Sequence, residues 1–341
     1  MRQKIRQVEE SDSSITIKKS EDFNIDRILT SFMENFAYYM IIITSVYFLI
    51  SLPQIFKFHK EFEVHDNLFD FNELLYIFAG FSFCLITYYT LPYLLDNYIR
   101  SNLTDQNNRK ESLEERISRL VNNIHSLLYY MVSLSVGILV TSGTNLRPKM
   151  LNGTMDLDYA VSSWPQTPNN YVRYYFLFTL GHHIERQYNL WVHKRKNGDF
   201  WTLNLHHILT IFLMVYSYSM RLLYFGVPVV IIHDISDIFY NIAKLTRCLR
   251  TWRPFMYVFM AIFTFSWLYT RIICYTKEVL LPLKRQAFLQ SYIQQNYYLI
   301  GIFEVFCLYV LGILNYYWFA LIVKIGFNLT KKNDKIINEE K

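Results

Sequence analysis

The sequence predicts an all-α, polytopic integral membrane protein with about eight transmembrane helices, and two of its features lead to that prediction. One is composition: 52% of the 341 residues are hydrophobic, the mean hydropathy is +0.12, and there are only 10 Gly and 8 Pro. The other is a series of apolar runs near the roughly 20 residues that a helix needs to cross a bilayer. These runs lack the two-residue alternation of barrel strands, so helices are the structure that satisfies their backbone in lipid.

Eight apolar runs are predicted as transmembrane helices. They cover residues 37–56, 74–95, 124–142, 172–191, 203–222, 226–246, 255–275 and 298–323. Between the fifth and sixth runs the sequence predicts a turn at Gly226 and Pro228, because both residues disfavour a continuing helix.

Lysine and arginine are distributed unevenly among the predicted connections. The N-terminal segment, the segments 100–119, 194–196 and 247–253, and the C-terminal tail hold most of them, and all fall on one side of the membrane. Because basic loops are retained in the cytosol, this bias predicts that both termini are cytosolic. The same bias accounts for the formal charge of +6, so no nucleic-acid partner is predicted.

Several ionisable residues lie inside the apolar runs. His206 and His207 stand in "LHHILT", and His233, Asp234 and Asp237 stand in "IIHDISD" on the next predicted helix. Such residues are expensive in lipid and by default line a functional cavity. The two groups lie about ten residues from basic cytosolic segments on antiparallel neighbours, so at 1.5 Å per residue they reach similar depth.

Helical spacing places further polar residues on the same two faces. The stripe on the sixth helix is Asp234, Asp237, Asn241 and Lys244. The line on the fifth is His207, Thr210, Ser217 and Arg221, with His206 beside it. Two adjacent helices therefore present polar faces that can meet in one cavity.

Histidines beside carboxylates suit acyl transfer. A neutral imidazole can take a proton from a nucleophile or attack an activated acyl group, and a carboxylate steadies the cation that forms. Iron or zinc is the rival interpretation, because three histidines and two aspartates could ligate either metal. The HxxHH boxes of membrane di-iron enzymes are absent here, since Leu203 stands where the first histidine would be. No metal is therefore predicted.

The stretch from His206 to Lys244 resembles a known family. "HHILTIFLMVYSYSMRLLYFGVPVVIIHDISDIFYNIAK" is similar to the Lag1 motif of ceramide synthases, which belong to the TLC-domain superfamily. The resemblance covers roughly residues 171–285. One departure is Asn241, where the family usually has Glu.

The resemblance implies a six-helix TLC-domain bundle around a polar cavity, at residues 116–325. Before it would lie a cytosolic segment, 1–36, and two transmembrane helices with a linker, 37–115; a cytosolic tail, 326–341, would follow. It also implies a multi-pass protein of the endoplasmic reticulum membrane. The implied reaction transfers a fatty acyl chain from acyl-CoA, a co-substrate, to the amine of a long-chain sphingoid base, without a cofactor.

Residue by residue, the resemblance assigns two groups of site residues. The implied catalytic residues are His206, His207, Asp234 and Asp237. The implied substrate-binding residues are Lys244, Arg271, Ser217 and His233. Implied partners are the two substrates and membrane lipid, with room for a homodimer or heterodimer. The alternative is a non-catalytic TLC-domain protein that binds or transports lipid or associates with a translocon.

Glycosylation tests the predicted topology. Asn-x-Ser/Thr sequons occur at Asn102, Asn152 and Asn328, and only Asn152 falls on the predicted lumenal side. We expect a glycan added in microsomes to be lost in Asn152→Gln and kept in Asn102→Gln, measured as a glycosidase-sensitive gel shift. A glycan on Asn102 would invert the topology.

Overall fold

Eight long helices make up most of the computed structural model. It describes residues 2–61, 71–102, 113–155, 164–165, 169–193, 198–249, 255–283 and 297–339. The helices are α1 (Arg2–Glu61), α2 (Phe71–Asn102), α3 (Leu113–Val140), α4 (Asn170–His193), α5 (Phe200–Ser219), α6 (Leu223–Cys248), α7 (Met256–Leu283) and α8 (Tyr298–Glu339). Helix α1 begins far before residue 37, where the first span was predicted, and α3 also begins earlier than predicted.

Seven of these helices are long and apolar enough to cross a membrane, and α4 is the exception by composition. Helix α4 nevertheless runs the full depth of the bundle. Near its start Arg173 donates to Tyr218 at the end of α5, over 3.2 Å, and near its end Gln187 donates to Asn204 at the start of α5, over 2.6 Å. Antiparallel contact along all of α5 places α4 where the fourth span, 172–191, was predicted, and it brings the number of spanning helices to eight. The predicted all-α polytopic membrane fold is confirmed.

The turn between α5 and α6 lies at Met220–Leu222, so the prediction of a turn at Gly226 and Pro228 is wrong. Arg221 takes the left-handed conformation, with φ of 55°. Leu222 N–H donates to Ser217 O over 2.7 Å and Arg221 N–H donates to Tyr218 O over 3.2 Å, which is the Schellman closure of a helix end. Glycine usually occupies the left-handed position at a helix end, so an arginine at 221 did not indicate a turn in the sequence. Gly226 and Pro228, which did, lie within α6.

Helix α1 lies along the whole of α5. At the start of α5 the Glu34 carboxylate accepts from Trp201 N–H over 2.8 Å and Thr202 N–H over 3.2 Å. A negative group suits the unpaired N–H groups of a helix start. Ser51 and Tyr216 are hydrogen-bonded midway, and His59 Nε2 lies 2.9 Å from Ser219 O at the far end. These contacts fix the helix that carries the histidine pair.

Two glycines let α2 and α4 approach closely. A Cβ on Gly181 would overlap the backbone carbonyl of Ile77, and one on Gly80 would overlap that of Phe178. Membrane helices associate mainly through close packing, and small residues at the contact make it possible. The contact between α2 and α4 therefore requires glycine at both positions.

Exchanging these glycines tests the contact. We expect Gly181→Ala to lower stability by about 1–3 kcal/mol, because the backbone of α2 must move. Gly326→Ala is the matched control, since no atom outside the local backbone lies within 4 Å of its added Cβ. There alanine should leave stability unchanged or raise it by up to about 1 kcal/mol through helix propensity. Thermal unfolding in detergent measures both, and equal effects would refute the close contact.

Candidate active site

A cavity lies between α5 and α6 and is bordered by residues of α3, α4, α7 and α8. Its polar lining residues are Tyr130, His183, His206, His207, Thr210, Ser217, His233, Asp234, Asp237 and Arg271. Its apolar lining residues are Phe176, Leu213, Met214, Phe225, Val229, Val230, Leu308 and Leu311, together with Gly226. On both α5 and α6 the lining residues recur at helical spacing, so one face of each helix borders the cavity.

Seven of the eight predicted site residues line this cavity. The four predicted catalytic residues are among them, and so are the predicted substrate contacts Ser217, His233 and Arg271. Lys244 is placed outside the lining, with its ammonium 3.8 Å from the centre of the Tyr240 ring. Asn241 also lies outside, and its side chain donates to Asp237 O over 2.7 Å. The departure from the family at position 241 therefore leaves the cavity's charge unaltered.

Asp237 is held by an ion pair with Arg271. Arg271 Nη2 lies 2.6 Å from Asp237 Oδ1, and its Nε donates to Ser236 Oγ over 2.6 Å. The guanidinium also lies 4.2 Å from the Trp267 ring centre, a cation–π contact. Arg271 belongs to a π-helical stretch, Leu268–Leu280, and such segments recur at functional sites. Together these contacts hold a charged pair in a membrane-embedded cavity.

Asp234 has a different environment. Its Oδ2 accepts from Ser133 Oγ over 2.6 Å, and the Tyr175 hydroxyl lies 3.4 Å from Ser133 Oγ. Asp234 is buried, yet within the described ranges no lysine, arginine or histidine forms an ion pair with it. The cavity thus holds one carboxylate neutralised by arginine and another that accepts only from a hydroxyl.

His233 is fixed in one tautomer. Its Nδ1 lies 2.8 Å from Val229 O, and because a carbonyl can only accept, Nδ1 carries the proton. Nε2 then accepts from Asn315 Nδ2 over 3.4 Å. Asn315 is fully buried on α8. The sequence analysis did not predict Asn315 as a site residue, although an Asn inside the last apolar run indicates a polar contact within the bundle.

The histidine pair stands side by side on α5. The rings of His206 and His207 have centroids 5.4 Å apart, and His206 meets Trp318 edge-on at 5.3 Å. His206 Nδ1 is buried and has no hydrogen-bond partner among the described residues. The ring therefore packs against Trp318 and His207 without a hydrogen bond at Nδ1.

The neighbouring polar residues of α4 divide into two groups. His183 lines the cavity, whereas His182 stacks on Tyr129 and its Nδ1 lies 3.2 Å from Cys84 Sγ. Cys84, His182 and Glu185 each offer a ligand atom, all within 4.8 Å of one another. Glu185 is already bound by Arg186, over 2.8 Å, and by Asn189. An ion pair and a hydrogen bond thus hold Glu185, whereas His182 Nε2 is buried without a hydrogen-bond partner among the described residues.

The fold and the cavity define a class: a multi-pass membrane protein with histidines and aspartates enclosed between two antiparallel helices. The chain belongs to the TLC-domain family, whose sequence profile matches residues 119–324. It is 24% identical over 225 residues to ceramide synthase hyl-2 of Caenorhabditis elegans, covering 63% of this chain and 65% of that one.

Two other relatives carry the same kind of name. Ceramide synthase hyl-1 of Caenorhabditis elegans is 31% identical over 142 residues, which are 39% of this chain and 38% of that one. Ceramide synthase LOH1 of Arabidopsis thaliana is 23% identical over 256 residues, which are 69% and 80% of the two chains. The match thus spans somewhat under two thirds of hyl-2 and little more than a third of hyl-1.

Removing Arg271 tests the ion pair. We expect Arg271→Met to lower stability by about 3–5 kcal/mol, because Asp237 then loses its counter-ion in the membrane. Arg271→Met combined with Asp237→Leu should recover much of that loss, since no charge remains. Lys244→Met is the matched control and should cost only about 0.5–1 kcal/mol. Thermal unfolding in detergent measures each variant, and a double variant no more stable than the single one would refute the pairing.

Proposed function

We propose that this protein is a sphingoid-base N-acyltransferase, a ceramide synthase, which transfers a fatty acyl chain from acyl-CoA to the amine of a long-chain base in the endoplasmic reticulum membrane. The observation that carries the proposal is one cavity that joins a histidine pair and two aspartates to an apolar chamber. The relatives named ceramide synthase support it.

The polar and apolar parts of the cavity suit the two parts of a fatty acyl thioester. Along α5 the lining changes from His206 and His207 to Leu213 and Met214, and along α6 it changes from Asp237 and Asp234 to Val229–Val230. An acyl carbonyl at the histidines can therefore extend its alkyl chain into the apolar part. Burial of that chain favours binding by about 0.8 kcal/mol per methylene.

Two routes are compatible with the histidine pair. In the direct route, imidazole takes a proton from the acceptor amine, the amine nitrogen bonds to the acyl carbon, the carbon–sulfur bond breaks, and the thiolate takes the proton. In the two-step route, imidazole nitrogen first displaces the thiolate and carries the acyl group. The amine then displaces the imidazole, and the proton that the amine loses goes to the thiolate. Both routes yield the amide and free CoA thiol.

The carboxylates suit an amine acceptor. A long-chain base enters as an ammonium, and Asp234 is the lining carboxylate without an arginine partner in the described structure. Attraction between unlike charges is strong where water is excluded. Asp234 would hold the ammonium near the histidines, where the ammonium would lose one proton through an imidazole to water and become the amine that reacts. Arg271 would keep Asp237 ionised beside it.

The CoA portion is polyanionic and would lie at the basic end of the bundle. The predicted basic loop 194–196 lies outside the described residues. Arg247, near the end of α6, is exposed at the same end of the bundle and is suited to bind phosphate. Lys244, one turn earlier, would contribute to this rim and not to the cavity.

Purified protein in detergent, given long-chain acyl-CoA and sphinganine, tests the proposal by mass spectrometry of the N-acyl product. We expect product, and losses of at least about 10²-fold in His206→Ala and His207→Ala, because proton transfer or acyl capture is removed. His59→Ala is the matched control, since His59 contacts Ser219 O at the far end of α5, and it should retain most activity.

Intact-mass measurement separates the two routes, because only the two-step route leaves an acyl group on the protein when the base is withheld. Folded protein that forms no product with any acyl-CoA and amine would overturn the proposal. Retained lipid binding in that case would favour the lipid-binding or transport function.

A further inference from the structure

The cavity has a closed apolar end opposite the histidine pair. Ser217 is the last lining residue along α5, and Gly226 lies opposite it near the start of α6. Phe176 of α4 completes this end, which is here called the floor: Ser217, Gly226 and Phe176. Ten residues separate His207 from Ser217, so the floor lies about 15 Å from the histidines along α5.

The bundle is sealed beyond the floor. Met220 and Leu222 of the connecting turn are buried, and Trp164 covers the turn with its Nε1 donating to Met220 O over 2.6 Å. Trp164 in turn stacks on Phe58 of α1, at 5.3 Å between ring centroids. An alkyl chain that enters from the histidines therefore meets a closed end at the floor.

Gly226 leaves no spare room at this end. A Cβ there would lie 2.9 Å from Ser217 Cβ and 3.0 Å from Phe176 Cζ, both closer than ordinary carbon contacts. A methyl group at position 226 would project between the other two floor residues. A side chain at position 226 would therefore have to displace Ser217 or the tip of the Phe176 ring, both of which line the apolar part of the cavity.

Resting on the proposed function, we propose that Gly226 and Phe176 set the longest fatty acyl chain that the enzyme accepts, by forming the floor against which the chain terminus packs. The acyl chain is the occupant because its carbonyl must reach the histidine pair, so its methylenes continue along the apolar faces of α5 and α6. Filling position 226 shortens the space, and trimming Phe176 lengthens it. The two substitutions therefore have opposite effects on chain length.

The test is a series of acyl-CoAs of increasing length with one sphingoid base, measured as kcat/KM. In Gly226→Ala we expect the ratio of the longest accepted chain to one two carbons shorter to fall about tenfold, because about two methylenes lose their apolar contacts. Phe176→Leu should raise that ratio and admit a longer chain. Gly312→Ala is the matched control, because its Cβ would face Leu280 and Tyr275 and not the cavity.

A second series varies the length of the base with one acyl-CoA. An unchanged acyl profile in both floor variants, or a shift in base length in place of acyl length, overturns the proposal. If Gly226→Ala does not fold, an unchanged acyl profile in Phe176→Leu alone overturns it. Wild-type protein without any N-acyl product overturns the proposed function itself, which keeps the two failures distinct.

Discussion

The ion pair between Arg271 and Asp237 is the interaction on which the arrangement of the cavity depends. It joins α7 to α6 inside the apolar bundle, where the guanidinium is buried and the carboxylate is mostly buried, so each charge requires the other. Ser236 and Trp267 hold the guanidinium in place. Since Asp237 stands one turn from Asp234 and His233, fixing Asp237 also fixes the polar face that borders the histidine pair.

A second constraint comes from outside the residues that match the TLC domain. Helix α1 precedes residue 119, yet it supplies the carboxylate at the start of α5, a hydroxyl contact at Tyr216 and the contact of His59 with Ser219 O. The histidine helix is thus held along one side by α1 and along the other by α4. The six helices within the family domain border the cavity, and α1, outside that domain, holds the helix that carries the histidine pair.

The sequence predicted the helices, and it predicted that the histidines and aspartates lie in one cavity. The depth of a residue in the membrane follows from its distance along the helix, and the helix face on which it lies follows from the helical period. It did not predict Tyr130, Ser133, His183 and Asn315, which α3, α4 and α8 bring to the site. Which helices pack together depends on tertiary contacts that spacing along one chain does not encode. Helical spacing alone placed Lys244 with the site residues, but the polar stripe on α6 continues beyond the end of the cavity, and Lys244 lies outside the lining.

The two aspartates have different partners, and in the proposed reaction this difference would favour binding of the cationic acceptor over binding of the neutral amide product. Asp237 pairs with Arg271, whereas Asp234 accepts from Ser133 and pairs with no lysine, arginine or histidine of the described residues, so in the proposed reaction it would attract a cationic substrate. The acceptor arrives as an ammonium and leaves as an uncharged amide, so the attraction that draws it in does not act on the product. In the proposed reaction, the carboxylate that favours binding of the base would therefore not retain the amide, which can leave into lipid.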